Sequence, residues 1–228
     1  MADPSILAVE TSTEACSAAL LIGGEIAERY EIAPRAHARL ILGMVDELLA
    51  VAELKPQQLD AIAFGRGPGA FTGVRIAAGV VQGIAFGADL PVIPVSSLAA
   101  LAQDAIDYSN QTRILAAIDA RMGELYWGIY RCGDQGYAVA VGDEQVTDAA
   151  RVVIPDSETW FGAGSGWDVY GVQLRDRLEQ RLAGVAAETF PRARSIARLA
   201  VREWSAGNTV AADQALPVYL RNRVVQAP

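Results

Sequence analysis

Four stretches of this chain collect the residue types from which a phosphate or metal site could be built. Glu10-Thr11-Ser12-Thr13 follows an apolar run and precedes a hairpin. Hydroxyls and backbone N–H groups at such a turn can cradle a phosphate, or simply cap the turn's own backbone. Gly65-Arg66-Gly67-Pro68-Gly69 leads into Ala70–Arg75, where glycines permit close backbone approach and a helix N-terminus favours anions. It contains neither Gly-Lys-Ser/Thr nor GxGxxG, and on the residues alone a tight crossover with Thr72 as helix cap is the preferred reading. Asp119-Ala120-Arg121-Met122-Gly123-Glu124 sits at a second strand–turn, but Ala120, Arg121 and Met122 put bulk where a phosphate loop would be glycine-rich, so a hairpin turn is expected. Arg194, Arg198 and Arg202 recur every four residues on one helical stripe, a pattern that usually marks a solvated face.

Hydrolytic and metal chemistry is hard to assemble from what remains. His37 is the single histidine, so no HExxH-type pair exists, and no GxSxG elbow is present. A lone histidine opening a helix reads as a cap or surface residue. Cys16 and Cys132 are the only cysteines, too few for a disulfide framework, and Cys16 lies among small apolar residues that predict a buried, inert thiol. The N-terminus has no basic stretch followed by an apolar one, so a secretory signal is not expected.

The elements that must position these residues follow from periodicity. Ser5–Val9, Ala15–Ile22 and Glu25–Ile32 read as a three-strand meander turned at Gly23-Gly24. His37–Leu54 carries a wide apolar stripe and ends before Pro56. Ala61–Phe64 is a buried strand, residues 72–87 a second helix, Val92–Pro94 a strand, and Ser96–Ile106 a helix capped by Ser96 or Ser97. Tyr108–Gln111 reads as a linker. Strands are then expected at Arg113–Ile118, Leu125–Arg131, Tyr137–Val141 and Trp160–Phe161. Helices follow at Asp168–Leu182 and at Ser195–Ser205, the latter capped by Ser195, and Leu216–Leu220 is a closing apolar segment. The result is an α/β chain of two lobes, residues 1–103 and 104–228, with the helix near 195–206 free to pack back on the first lobe. The architecture repeats while the sequence does not.

One helix stands out. Gly79, Gly83 and Gly87 fall at i, i+4 and i+8 on a single face, each costing about 0.5–1 kcal/mol of helix stability relative to alanine. Such a stripe implies that another backbone passes close by: either the helix lies tightly on its own sheet or it meets a second subunit, and the residues leave these readings level. The same stretch, Val74–Leu90, is about 17 residues of mostly apolar character, at the short limit for a bilayer span, and a buried or interface helix is preferred. With 27 acidic and 19 basic residues the net charge is −8. That excludes a free-standing nucleic-acid binder with a basic surface and disfavours an anionic membrane.

Taken together, Ile6–Thr13 (ILAVETST), the His37–Leu49 helix, Gly65–Arg75 (GRGPGAFTGVR), Asp119–Tyr126 (DARMGELY) and Pro217–Asn222 (PVYLRN) resemble the TsaB (YeaZ) family along nearly the whole chain. The resemblance implies a two-lobed actin/Hsp70/sugar-kinase-like fold, each lobe a mixed sheet with helices. It implies a cytoplasmic, non-catalytic subunit of the complex that transfers a threonylcarbamoyl group to the adenosine beside the anticodon of tRNA. TsaD would be the direct partner and the ATPase TsaE a further member, with a homodimer when the chain is alone. Metal and ATP would belong to the partners, and tRNA would be reached mainly through them. The contact implied by the family uses the first two helices, carried here onto Leu40, Met44, Leu48 and Leu49, and onto Ile76, Gly79, Val80, Gly83, Ile84 and Gly87. Glu10, Thr11, Ser12, Gly67, Gly69 and Asp119 would be the loop positions nearest a nucleotide. Three rival readings remain: a small-molecule kinase of the same fold holding Mg-ATP on Glu10 and Asp119, a peptidase using His37, and a plain homodimeric binding protein with no TsaD partner.

Overall fold

The computed structural model describes residues 4–155 and 158–221. The chain opens with β1 (Ile6–Glu10), β2 (Ala15–Ile22) and β3 (Glu25–Ile32). Gly23 and Gly24 both take positive φ, 55° and 84°, which is the geometry a two-residue hairpin with right-handed twist needs. Then come α1 (His37–Val51), β4 (Ala61–Gly65), α2 (Phe71–Ala88), β5 (Val92–Val95) and α3 (Ser97–Ser109). The second half contains β6 (Arg113–Asp119), β7 (Glu124–Cys132), β8 (Ala138–Ala140), β9 (Gln145–Asp148), β10 (Trp160–Ala163), α4 (Gly166–Leu178), β11 (Leu182–Ala186) and α5 (Ala193–Ser205).

Two sheets result, ordered β3-β2-β1-β4-β5 and β11-β10-β6-β7-β8, with β9 also pairing β7. Reversed, the second order matches the first: an antiparallel three-strand meander followed by two parallel strands. The architectural repeat is therefore present over five strands of each sheet, with β9 as an addition to the second.

Strand alternation explains the layering. Leu7 and Val9 of β1 face a core shared with α1 and α2, whereas Ile6 and Ala8 face the opposite way. Into that second face packs α5, which lies against β1, β2, β4 and β5 of the first sheet although it comes from the end of the chain. Helix α3 lies beside α5 and against β6, β7 and β8, and α4 covers the far face of the second sheet with Trp127, Trp160 and Trp167. Helices α3 and α5 are thus the filling between two sheets, and one core runs through both lobes.

Several expectations are corrected. Helix α3 continues to Ser109 and stops on Asn110 in the left-handed region, so Tyr108–Gln111 is not a free linker. The helix expected over Asp168–Leu182 ends at Leu178, broken by Glu179 at φ 51°, and Leu182 opens a strand. Strands β9 and β11 were not anticipated. Ser195 does not cap α5, whose N-cap is Arg192; it lies buried inside the helix with its hydroxyl 3.4 Å from Asp104 Oδ1. Thr72 does not cap α2 either, since the N-cap is Ala70 with no side-chain bond. Ser96 does cap α3, accepting from Ala99 N–H at 3.2 Å. Leu216–Leu220 forms no strand, and Asn222 lies outside the described residues.

Candidate partner-binding face and interlobe cleft

The two glycine- and hydroxyl-rich stretches of the first lobe meet, and their polar groups satisfy one another. Glu10 is completely buried. Its carboxylate accepts Ser12 N–H at 2.5 Å and Ser97 Oγ–H at 2.7 Å. Burial pushes its carboxyl above the usual range, and the bonds from Ser12 and Ser97 partly offset that. The acidic group this turn accommodates is therefore the chain's own. Gly65 exists for this carboxylate, because a methyl there would overlap it. Thr11 Oγ1 donates to Gly73 O at 2.7 Å, and Ala70 N–H donates to Ser12 O at 2.7 Å. Gly69 and Gly73 press on the carbonyls of Ser12 and Thr11 so closely that neither tolerates a side chain. Gly67 is covered by the C-terminal segment, whose Val218 N–H donates to Arg66 O at 2.8 Å.

Of the six loop positions expected near a nucleotide, three line a single cavity of about 760 Å³ between the lobes: Ser12, Gly69 and Asp119. Glu10, Thr11 and Gly67 do not reach it, so the pairing of Glu10 and Asp119 on one metal–nucleotide, which the kinase reading requires, is not what the structure builds. Arg121 crosses the cleft, reaching Glu14 at 2.8 Å and Asp119 at 3.2 Å. His37 also departs from expectation, being neither a cap nor a surface group. It is buried with Nε2 3.2 Å from Ala15 O, so a ring nitrogen is engaged by backbone and not by a nucleophile. Cys16 is buried as expected, its thiol pushed up to about 11 by desolvation and then by Glu31 and Glu10. Among the described residues no group of three His, Cys, Asp or Glu side chains could hold a metal.

The basic stripe of α5 is engaged internally. Arg198 pairs with Asp107 at 2.7 Å, Arg202 with Glu203 at 3.0 Å, and Arg194 lies over the Tyr108 ring.

On α2 the structure separates two faces. Val74, Ala77, Ala78, Val81 and Ala85 are buried against the first sheet; this helix is long and apolar enough to cross a bilayer by composition, but one side of it is core. The glycine stripe points the other way. A Cβ placed at Gly79, Gly83 or Gly87 would meet nothing within 4 Å among the described residues, so the stripe is not there to admit the chain's own sheet. Ile76, Val80 and Ile84 flank it half-buried, and Phe86 beside it is 85% exposed. On α1, Leu40 is half-buried, whereas Met44, Leu48 and Leu49 are buried in the lobe's own core. The apolar residues that helix leaves outside are Leu42 and Val51, which the sequence reading did not single out; their place off the buried stripe was the available signal.

Two sheets of matching strand order around a shared helical layer define the class: this is a two-lobed α/β protein of the actin/Hsp70/sugar-kinase-like fold. Residues 26–197 match the family model described as TsaD, tRNA N6-adenosine threonylcarbamoyltransferase. The Escherichia coli tRNA threonylcarbamoyladenosine biosynthesis protein TsaB is 39% identical, over 96% of this chain and 95% of that protein. The Haemophilus influenzae TsaB is 42% identical over 98% and 96%. The solved structure of YeaZ from Pseudomonas aeruginosa superposes with a TM-score of 0.90 at 50% identity, over 95% of this chain and all of that one. The family model is named for the transferase, but the full-length relatives are biosynthesis proteins, and end-to-end identity is the more discriminating match. The chain belongs to the TsaB (YeaZ) family and has its role in tRNA threonylcarbamoyladenosine biosynthesis.

Proposed function

We propose that this chain is a non-catalytic subunit that binds TsaD directly, in a complex with TsaE that transfers the threonylcarbamoyl group to tRNA in the cytoplasm. The observation that carries this reading is the outward glycine stripe of α2. Three glycines weaken a helix at positions where nothing among the described residues needs the space, and they are bordered by Ile76, Val80, Ile84 and an exposed Phe86. Such a face is suited to close approach by another helix, either from TsaD or, without it, from a second copy. A subunit of this kind acts by binding one conformer of its partner better than another. It needs no tightly held nucleotide or metal, which stay with the partners. The self-filled Glu10 turn supports that division of labour.

The test is reconstituted threonylcarbamoyl transfer to a tRNA transcript with this chain alone, with TsaD plus TsaE, and with all three. The expected result is transfer only when all three are present. Transfer unaffected by leaving this chain out would overturn the proposal.

A further inference from the structure

The charges of α2 are placed against its own dipole. Arg75 is the only charged residue of the helix, one turn in from its N-terminus, and Asp89 closes its C-terminus. A carboxylate at a C-terminus faces the negative end of a helix dipole, and a cation near the N-terminus faces the positive end. No acid in the first turn and no base in the last turn offsets this. Asp89 also holds φ 55°, in the left-handed region where glycine is the usual residue to end a helix. Both side chains are exposed, and neither has an ion-pair partner among the described residues. Arg75 is held by rings instead, 3.3 Å from the centre of Phe71 and 5.3 Å from that of Tyr219. Local stability accounts for neither charge.

At the C-terminal end of α2, Asp89 lines a cavity of about 570 Å³. Phe86, Leu90, Pro91 and Val210 give it an apolar wall, and Asp213, also exposed, adds a second carboxylate. Among the described residues no lysine or arginine lines it, so these acids lack the partner that Arg121 gives Glu14 and Asp119 in the interlobe cavity. A long cationic side chain suits such a place. Its stem lies on apolar surface while its head reaches the carboxylates, and the Phe86 ring, largely exposed, offers a face to the charge.

We infer that α2 selects its partner by charge: the TsaD helix seated on it presents a carboxylate to Arg75 and a lysine or arginine to the cavity of Asp89 and Asp213. Arg75 and Asp89 are 14 positions apart, so the two partner charges stand about 21 Å apart along the axis. The inference rests on the proposed contact with TsaD, and it goes beyond it by stating the chemistry that the partner's surface must carry. Glycines repeating every four residues allow close approach but do not fix a register, because a slip of one turn sets small residues on small residues again. Opposite charges at the two ends leave one register, and complementary charge across an interface acts in this way on specificity more than on raw affinity.

The test titrates TsaD with the wild-type chain, with Gly83→Leu, with Arg75→Glu and with Asp89→Lys/Asp213→Lys, at several salt concentrations. Each charge variant is expected to bind TsaD about tenfold more weakly than wild type at low salt, with the gap narrowing as salt rises. Arg75→Lys, which keeps the charge, should retain most of the affinity. Arg75→Glu and Asp89→Lys agree with the helix dipole, so the urea midpoint of the isolated chain should hold or rise while binding falls, which a merely structural role does not allow. No assembly of the wild-type chain, or assembly indifferent to Gly83→Leu, defeats the proposed contact and this inference with it. Assembly that Gly83→Leu breaks and both charge variants leave unchanged overturns this inference alone. A second copy laid antiparallel would also bring Asp89 to Arg75, so sedimentation of the isolated chain is compared for Arg75→Glu and for Arg75→Glu/Asp89→Lys. Self-association lost in the single variant and regained in the double one, with TsaD binding untouched by both, would assign these charges to a second copy and likewise overturn the inference.

Discussion

Glu10 shows how much a single buried carboxylate can demand of its surroundings. It takes one backbone N–H, one hydroxyl and the space that a side chain at position 65 would occupy. A Gly65→Ala variant has nowhere to put its methyl, because the neighbour is a fully buried group held on both sides. The expected loss is about 2–4 kcal/mol, measured as a shift in the urea midpoint with unchanged m-value; a loss below half a kilocalorie would mean that Glu10 is mobile. Asp104 is a different case. It lies at the α3–α5 contact, where burial raises its pKa to about 6; Arg192 and Arg194 oppose the rise, Glu28 adds to it, and the Ser195 hydroxyl opposes it. The native state therefore holds a proton that the unfolded chain releases near 3.8. The associated stability is complete below that value and is lost as pH rises through about 6. An Asp104→Asn variant, still able to accept from Ser195, should gain on wild type across that window, by about 2–3 kcal/mol at pH 7. Urea melts at pH 4, 5, 6 and 7 check this, and a constant difference between the two proteins would refute it.

At the scale of elements, α2 has one face for its own lobe and one for another chain. Gly83→Leu separates the two. With no atom of the described residues within 4 Å of a Cβ at this position, the substitution should raise the stability of the isolated chain by about 0.5–1 kcal/mol through helix propensity. It should at the same time weaken association with TsaD at least tenfold, read by titration calorimetry. Association unchanged by the leucine would remove the stripe from the interface. This face was half legible in the sequence. The spacing of Gly79, Gly83 and Gly87 marked a close approach, but not its direction, because a stripe that admits the chain's own sheet has the same periodicity. The meander and the long apolar stripe of α1 were readable because their periods are strong and local. Strand β11 was not, because Leu182–Ala186 is small and half-buried at a sheet edge, and it follows without a break signal from a helix ended by Glu179. The role of Glu10 was hidden for another reason: its partner Ser97 is 87 residues away, and no local pattern distinguishes a carboxylate that waits for a ligand from one that fills its own turn.

The whole molecule is two lobes by topology and one body by packing. Its central core draws on both sheets and on α3 and α5. Around that core the lobes are also tied by polar groups: Ser96, the cap of α3, and the buried Tyr130 of β7 both donate to Glu144 Oε1, and Arg192 ahead of α5 holds Glu28 of β3. An arrangement of this kind should unfold in one step. Two local reporters make that testable. Cys16 is a fully buried thiol of the first lobe, and Trp127, Trp160 and Trp167 are buried in the second, while Trp204 of α5 packs on the shared core. In a Cys132→Ser/Trp204→Phe background, thiol labelling at equilibrium in urea should follow the same curve as tryptophan fluorescence. A Glu144→Ala variant, which leaves a serine and a buried tyrosine without their shared acceptor, should shift both curves together by about 1–3 kcal/mol. If Cys16 becomes reactive at lower urea than the fluorescence change, the helical layer does not couple the sheets. In that case a partner bound at α2 would act on the first lobe alone, with no route to the cleft between them.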